Sequence, residues 1–274
     1  MDPATIIGIV LAFGSVVAMV TLEGGHLTAL LLPAPMVLVF GATIAVGIAS
    51  GTIKDFLIAV KALPSAFRGK IDPPQQVIDE VVRLAETARS NGLLAMEQEA
   101  EGVTDPFLKR ALQNIADGTD GDELRILLED EIATRSKQSR IAAKFFSSMG
   151  GYAPTIGIIG TVVSLTHVLE NLDDPGHLGP MIASAFVATL WGLLSANFLW
   201  LPIGARLRRL SELDVERMNL LMEGVLAVQS GSQPRLLGER LRAMVPGGDS
   251  AKGGGKATEK AAKAAAKAPA EEAA

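Results

Sequence analysis

Four stretches of the chain, residues 4–22, 27–48, 150–169 and 178–203, contain no Asp, Glu, Lys or Arg. Each is long enough to cross a hydrocarbon layer of about 30 Å as a helix. A single apolar run of that length can be a buried core helix, but four in one chain have no core to share. The pattern therefore predicts four transmembrane helices. The first opens on Met1, Asp2 and Pro3 without a basic region, and its apolar run exceeds the ~7–15 residues of a signal-peptide core. It is expected to remain as a mature helix.

Between and after these runs the pattern changes to helical amphipathicity. Residues 54–67 read as a short helix leaving the second span, broken by Arg68, Gly69, Asp72, Pro73 and Pro74. Val77, Ile78, Val81, Val82, Leu84 and Ala85 recur at helical spacing through 75–89, Asn91 and Gly92 turn the chain, and a helix resumes over 93–101. Asp105 with Pro106 opens another, closed at Gly118, and Asp120 with Glu123 has the spacing of a capping box. No strong breaker lies between Leu124 and Gly150, which predicts one helix running into the third span, about 40 Å of it outside the membrane at ~1.5 Å per residue. After the fourth span, 207–228 is amphipathic, Ser230 and Gly231 stop it, and Pro234 starts a last helix through Val245. The fold class expected is an all-α integral membrane protein. Its parts are spans one and two (4–50), a helical cytoplasmic domain (51–149), spans three and four (150–203), cytoplasmic helices (204–245), and a disordered Lys/Ala/Gly tail (246–274).

Charge sets the orientation. Of 25 Lys and Arg, 13 lie within 51–149 and 12 after Ile203, with none at the amino terminus or in the other two loops. Basic residues keep short loops in the cytoplasm, so both termini and the middle segment are expected there. The 13 basic residues of the middle segment are mixed with 16 acidic ones, which argues against a nucleic-acid stripe and for a solvated or protein-docking surface. There is no cysteine, and His26, His167 and His177 have no metal-ligand spacing. The Gly253–Lys256 run is followed by Ala257, where a P-loop needs Ser or Thr. Neither an enzyme, a metal nor a cofactor is expected.

The four spans also lack a carboxylate. A protein that moves ions through a helix bundle needs an ionisable side chain there, so a partner would have to bring the acid. The third and fourth spans look suited to wall such a path. Gly150, Pro154, Gly157, Thr161 and Ser164 fall on one helix face, as do Ala185, Thr189, Gly192 and Ala196. Thr161 and Thr189 stand 11 and 14 residues from the cytoplasmic ends of their spans, about 16 and 21 Å in. The alternative is that these faces pack helices within one subunit and that the hydroxyls bond to their own backbone. His167 reads as interfacial and Asn197 as a helix-to-helix hydrogen bonder. Pro154 and Pro202 mark the cytoplasmic ends of their spans, either as hinges or as simple terminal prolines.

Several runs together resemble one family. They are Leu22-Glu23-Gly24-Gly25, Ala153-Pro154-Thr155-Ile156-Gly157-Ile158-Ile159-Gly160-Thr161-Val162, Ala188-Thr189-Leu190-Trp191-Gly192 ahead of Leu201-Pro202, Arg89-Ser90-Asn91-Gly92-Leu93-Leu94-Ala95-Met96-Glu97, and Gln229-Ser230-Gly231-Ser232-Gln233-Pro234-Arg235. In this order, over residues 4–245, they resemble the MotA and PomA stators of the flagellar motor. The wider group includes the ExbB and TolQ energisers of envelope transport, which resemble only the last two spans. Those, or a non-catalytic membrane scaffold, are the alternatives. The resemblance implies a homopentameric ring around a MotB-like partner whose membrane helix carries an Asp, with the cytoplasmic part acting on the rotor protein FliG. It implies rotor-facing roles for Arg89, Glu97 and Glu131 and coupling roles for Pro154 and Pro202. It also implies an ion path lined by Thr161, Thr189, Gly157 and Ser164. The transported ion is H⁺ or Na⁺; the two threonines lean toward Na⁺, which needs several oxygen ligands, some from the partner.

Overall fold

The structure, a computed structural model, describes residues 4–173 and 175–245, and every regular element among them is helical. The tail expected over 246–274 lies outside the described residues. The helices are α1 (Ala4–Leu22), α2 (Pro33–Ala49), α3 (Ile53–Arg68), α4 (Pro74–Asn91), α5 (Ala95–Gly102), α6 (Pro106–Ala116), α7 (Gly121–Glu170), α8 (Pro175–Leu194), α9 (Leu201–Gln229) and α10 (Pro234–Ala243).

Local chemistry explains where they begin and end. Residues 27–30, expected inside the second span, instead form a separate 3₁₀ turn, and α2 starts at Pro33. Proline suits that first turn because its missing N–H has no helical partner there anyway. At 17 residues, α2 is a short apolar helix, whereas α1, α7 and the run Pro175–Gln229 are long and apolar enough to cross a membrane. Thr52 and Asp55 cap α3 reciprocally, side chain to backbone in both directions, so α3 starts afresh after Ser50 and Gly51 instead of continuing α2. The Asp105 carboxylate accepts from the N–H groups of Phe107 (2.7 Å) and Leu108 (3.3 Å) to open α6. Asp120 accepts from the Asp122 N–H at 3.0 Å ahead of α7. Gly92, Gly118 and Gly231 take positive φ where α4, α6 and α9 end. α7 then runs unbroken to Glu170, as the absence of a breaker predicts, while α10 stops at Ala243, short of Val245.

The chain divides into two compact units. One holds the described residues up to Ile71 with Ala133–Val215; the other holds Asp72–Ile132 with the described residues from Glu216. The long helices α7 and α9 contribute to both. In the first unit, Ala59 and Ala66 of α3 pack with Phe145, Phe146 and Met149 of α7 and with Ile203 and Leu207 of α9. In the second, Ile78, Leu84, Met96, Phe107, Leu112, Leu124, Met218 and Leu221 are fully buried side chains. These buried side chains are apolar, and outward positions of the helices are polar: Asp79, Arg83, Glu86 and Arg89 are exposed on α4.

Candidate functional site

The small residues of the third and fourth apolar runs form a seam along which α7 meets α8 and α9. At Gly150, Gly157, Gly160 and Gly192, and at Gly204 just beyond the fourth run, a Cβ would strike the neighbouring helix. From Gly157 it would lie 2.9 Å from the Ala188 carbonyl oxygen, and from Gly192 it would lie 2.8 Å from that of Ala153. From Gly150 it would meet the Leu201 side chain at 2.6 Å, and from Gly204 the Ser147 Oγ at 2.6 Å. Gly160 is similarly closed, by Ala188 and Leu38. Backbones this close are what small residues permit in membrane helices.

The two threonines meet on this seam. Thr161 Oγ1 lies 3.0 Å from the Ala185 carbonyl of α8 and 3.2 Å from the Gly157 carbonyl of its own helix, and it hydrogen-bonds the Thr189 hydroxyl. Each hydroxyl has one proton. The arrangement that satisfies most groups has Thr161 donating to the Ala185 carbonyl and accepting from Thr189. Both threonines are half-buried, so the pair is fixed by α7 and α8 yet open on one side. Ser164, a turn beyond Thr161, is half-buried and bonds neither of them. Gly157 is buried in the crossing itself and sets its closeness. Sequence reasoning passed over two members, the Ala185 carbonyl and Gly160; the pair Gly157 and Gly160, three residues apart in a span, was the available signal for the second.

The helix pair is braced by α2 and by the 3₁₀ turn that precedes it. Trp191 donates its indole N–H to the Leu30 carbonyl at 2.7 Å and packs against Phe40 at 5.7 Å between ring centroids. Pro154 sits inside α7, where it removes one backbone hydrogen bond without ending the helix. Pro202 has a larger effect. Ser195–Trp200 form a π turn, with the Leu201 N–H bonded to the Ala196 carbonyl five residues back. The wider turn makes room for a proline ring that would clash with the carbonyl four residues earlier in an α-helix. Pro154 and Pro202 stand on either side of the Gly150–Leu201 contact, by sequence within one turn of it.

The charged candidates belong to the second unit. Arg89 in the last turn of α4 and Glu97 in the first turn of α5 are exposed, and neither forms an ion pair with a described residue. Glu131 is mostly covered and held by two nitrogens of Arg110, one at 3.1 Å, so Arg110 is the more exposed member of that pair. Beneath the surface, Arg217 and Asp105 form a largely buried ion pair. Burial alone would raise the Asp105 carboxyl, but the Arg217 hydrogen bond and charge, with the N–H groups of Phe107 and Leu108, outweigh it and hold the carboxyl below its ordinary 3.8. Glu80 goes the other way: burial pushes it above its ordinary 4.5, and the charges of Asp105 and Asp72 add to that against the opposing arginines Arg83 and Arg217. Glu223 accepts from Arg125 at 2.9 Å and Arg240 at 2.8 Å, joining α7, α9 and α10.

Comparison with known proteins gives two family matches. The MotA/TolQ/ExbB proton channel family matches residues 99–220, and the Motility protein A N-terminal family matches residues 6–92. Motility protein A of Bacillus subtilis (strain 168) is 33% identical over 254 residues, 91% of this chain and 93% of the relative. Chemotaxis protein PomA of Vibrio alginolyticus is 32% identical over 242 residues, 88% and 94% of the two chains. Among solved structures, C. jejuni MotAB superposes with a TM-score of 0.85 at 28% identity, covering 89% of this chain and 96% of the other. The flagellar MotAB stator complex of Bacillus subtilis gives 0.80 at 32% identity, covering 90% and 97%.

Proposed function

Because the chain belongs to the MotA/TolQ/ExbB proton channel family and is a MotA-type stator subunit of the inner membrane, we propose that copies of it surround a MotB-like partner and wall an ion path whose traffic drives the flagellar rotor. The observation that carries this reading is the threonine pair, fixed at a glycine crossing and open on one side, in spans that hold no carboxylate of their own. The partner's single span supplies an Asp, and the wall supplies fixed hydroxyls beside it. As that Asp is charged and neutralised by successive ions, its attraction to polar wall groups changes, and the low dielectric makes the change large.

In this reading α1, α2, the later part of α7 and the run α8 into α9 are four spans, with both termini and the two charged segments in the cytoplasm. The 51–149 segment contacts FliG through Arg89 and Glu97, which are exposed and unpaired, and through the Arg110–Glu131 pair. Exposed charge suits a contact that must form and release rapidly. Pro154 and Pro202 lie where the spans meet the cytoplasmic helices, and the π turn beside Pro202 supports a role in passing movement between them. The ring is a pentamer. The ion is Na⁺, held by the two hydroxyls and partner oxygens, with H⁺ the alternative; no cofactor or metal is retained, and no reaction is catalysed.

The test is swimming speed of a deletion strain complemented with this chain and its native partner, with sodium withdrawn and restored at constant proton-motive force. Loss and recovery establish the sodium-driven stator, and undiminished swimming makes the ion a proton. Failure to swim under every condition, with both proteins present in the membrane, overturns the torque-generating role.

A further inference from the structure

Helix α3 carries an outward face that the folded chain does not explain. Its inner side, with Ala59, Leu63 and Ala66, packs into the core of the first unit. On the opposite side Ile53, Leu57 and Val60 follow at spacing 4 and 3 and are 71, 50 and 46% exposed. In the second unit the equivalent outward positions of α4 are Asp79, Arg83, Glu86 and Arg89. A water-facing helix is expected to look like α4. Lys54 and Lys61, seven residues apart and so on one edge of the apolar stripe, are both exposed and form no ion pair with a described residue.

Depth places this face at a boundary. The Phe56 ring packs against Phe145 at 5.8 Å between centroids, and Gly47 of α2 rests against Phe145 and Met149. Phe145 directly follows Lys144, the last charged residue before the charge-free stretch of α7, and is the first residue of that stretch. The first turns of α3 are therefore level with the edge of the apolar run, where Phe56 meets Phe145. The capping box at Thr52 and Asp55 turns the chain there. An apolar stripe with lysines along one edge, starting at a membrane edge, has the chemistry of an interfacial helix.

We propose that the amino-terminal half of α3 is a lipid-binding face, with Ile53, Leu57 and Val60 set among the acyl chains of the cytoplasmic leaflet and Lys54 and Lys61 against anionic phospholipid headgroups. This rests on the four-span reading. The face then fixes the start of α3, and with it the core of the first unit, relative to the bilayer while other parts of the protein move.

The chain has no cysteine, so single spin labels can be placed on the full-length protein with its partner, reconstituted in phosphatidylcholine containing phosphatidylglycerol. At Leu57→Cys the label should collide more with oxygen than with a water-soluble nickel chelate. At Glu86→Cys, on the outer side of α4, the preference should reverse. Lys54→Gln with Lys61→Gln should weaken the lipid contact of the Leu57 label about five-fold per lysine, and should do nothing in pure phosphatidylcholine. A Leu57 label as open to nickel as the Glu86 label overturns the proposal. A label shielded from both reagents and broadened by a second label overturns it in favour of a second copy of the chain. An unchanged contact after both lysine substitutions overturns the anionic-lipid part. A control label at Val10 of α1 separates the two readings: Val10 in lipid with Leu57 in water sinks this proposal alone, and Val10 in water sinks the four-span reading with it.

Discussion

Replacing Gly157 by alanine adds one methyl group where α7 and α8 meet backbone to backbone beside the threonine pair. Its Cβ would stand 2.9 Å from the Ala188 carbonyl oxygen, where ordinary contact begins at 3.4 Å, so α7 and α8 must separate by about 0.5 Å there. At Gly192 the Cβ would stand 2.8 Å from the Ala153 oxygen, and the required movement is about 0.6 Å. Such overpacking costs about 1–3 kcal/mol, against which alanine gains about 1 kcal/mol of helix propensity over glycine. Gly14→Ala in α1, with nothing within 4 Å, supplies the propensity gain alone, so the difference between the two variants isolates the packing cost. The gap also lengthens the 3.0 Å bond from Thr161 to Ala185 toward about 3.5 Å, the limit of a hydrogen bond. Both glycines ask for the same gap, so Gly157→Ala with Gly192→Ala should cost little more than the worse single change. Denaturation of the purified complex in detergent measures this. Equal stabilities for Gly157→Ala and Gly14→Ala, or full additivity of the two seam variants, would refute the argument.

Further expectations follow from the same geometry. Thr161→Val removes the hydroxyl from both of its cross-helix bonds while keeping the shape, and should slow swimming; Thr161→Ser should retain most of it. Arg217→Met leaves Asp105 buried without its partner, at a cost of about 3 kcal/mol. Because the folded Asp105 pKa is depressed, its contribution is present above 3.8 and is lost as pH falls through the lower folded value; Arg217→Met should remove that acid-limb dependence in denaturant titrations. Glu80, with a raised pKa, contributes the opposite sign, its cost appearing as pH rises through 4.5 and above. Arg89→Glu should reduce swimming without changing the amount of protein in the membrane, and Glu131→Gln should release Arg110 and reduce it less.

Much of this was legible in the sequence because membranes leave strong signals. Charge-free runs located the apolar helices, and small residues at spacing 4 and 3 placed Thr161 and Thr189 on facing stripes at similar depth, where the structure joins them. What was missed depends on partners far along the chain or on backbone detail. The Arg110–Glu131 pair spans 21 residues across α6 and α7, and no local pattern announces it. The Ala185 carbonyl is a backbone group, invisible to side-chain motifs. Pro202 suggested a hinge or a terminal proline, but the π turn over Ser195–Trp200 ahead of it is a detail of backbone hydrogen bonding that a side-chain pattern does not carry. The apolar run at 27–48 concealed a boundary at Pro33, since hydropathy is blind to the turn that the proline imposes.

The most direct test of the central claim is cross-linking in native membranes between this chain and a cysteine placed beside the Asp of the partner's span, using Thr161→Cys and, as the off-seam control, Ile159→Cys. The account predicts a disulfide-linked product with Thr161→Cys and little with Ile159→Cys. Efficient capture by Ile159→Cys and none by Thr161→Cys would mean that the threonine pair faces elsewhere and only packs helices within one subunit.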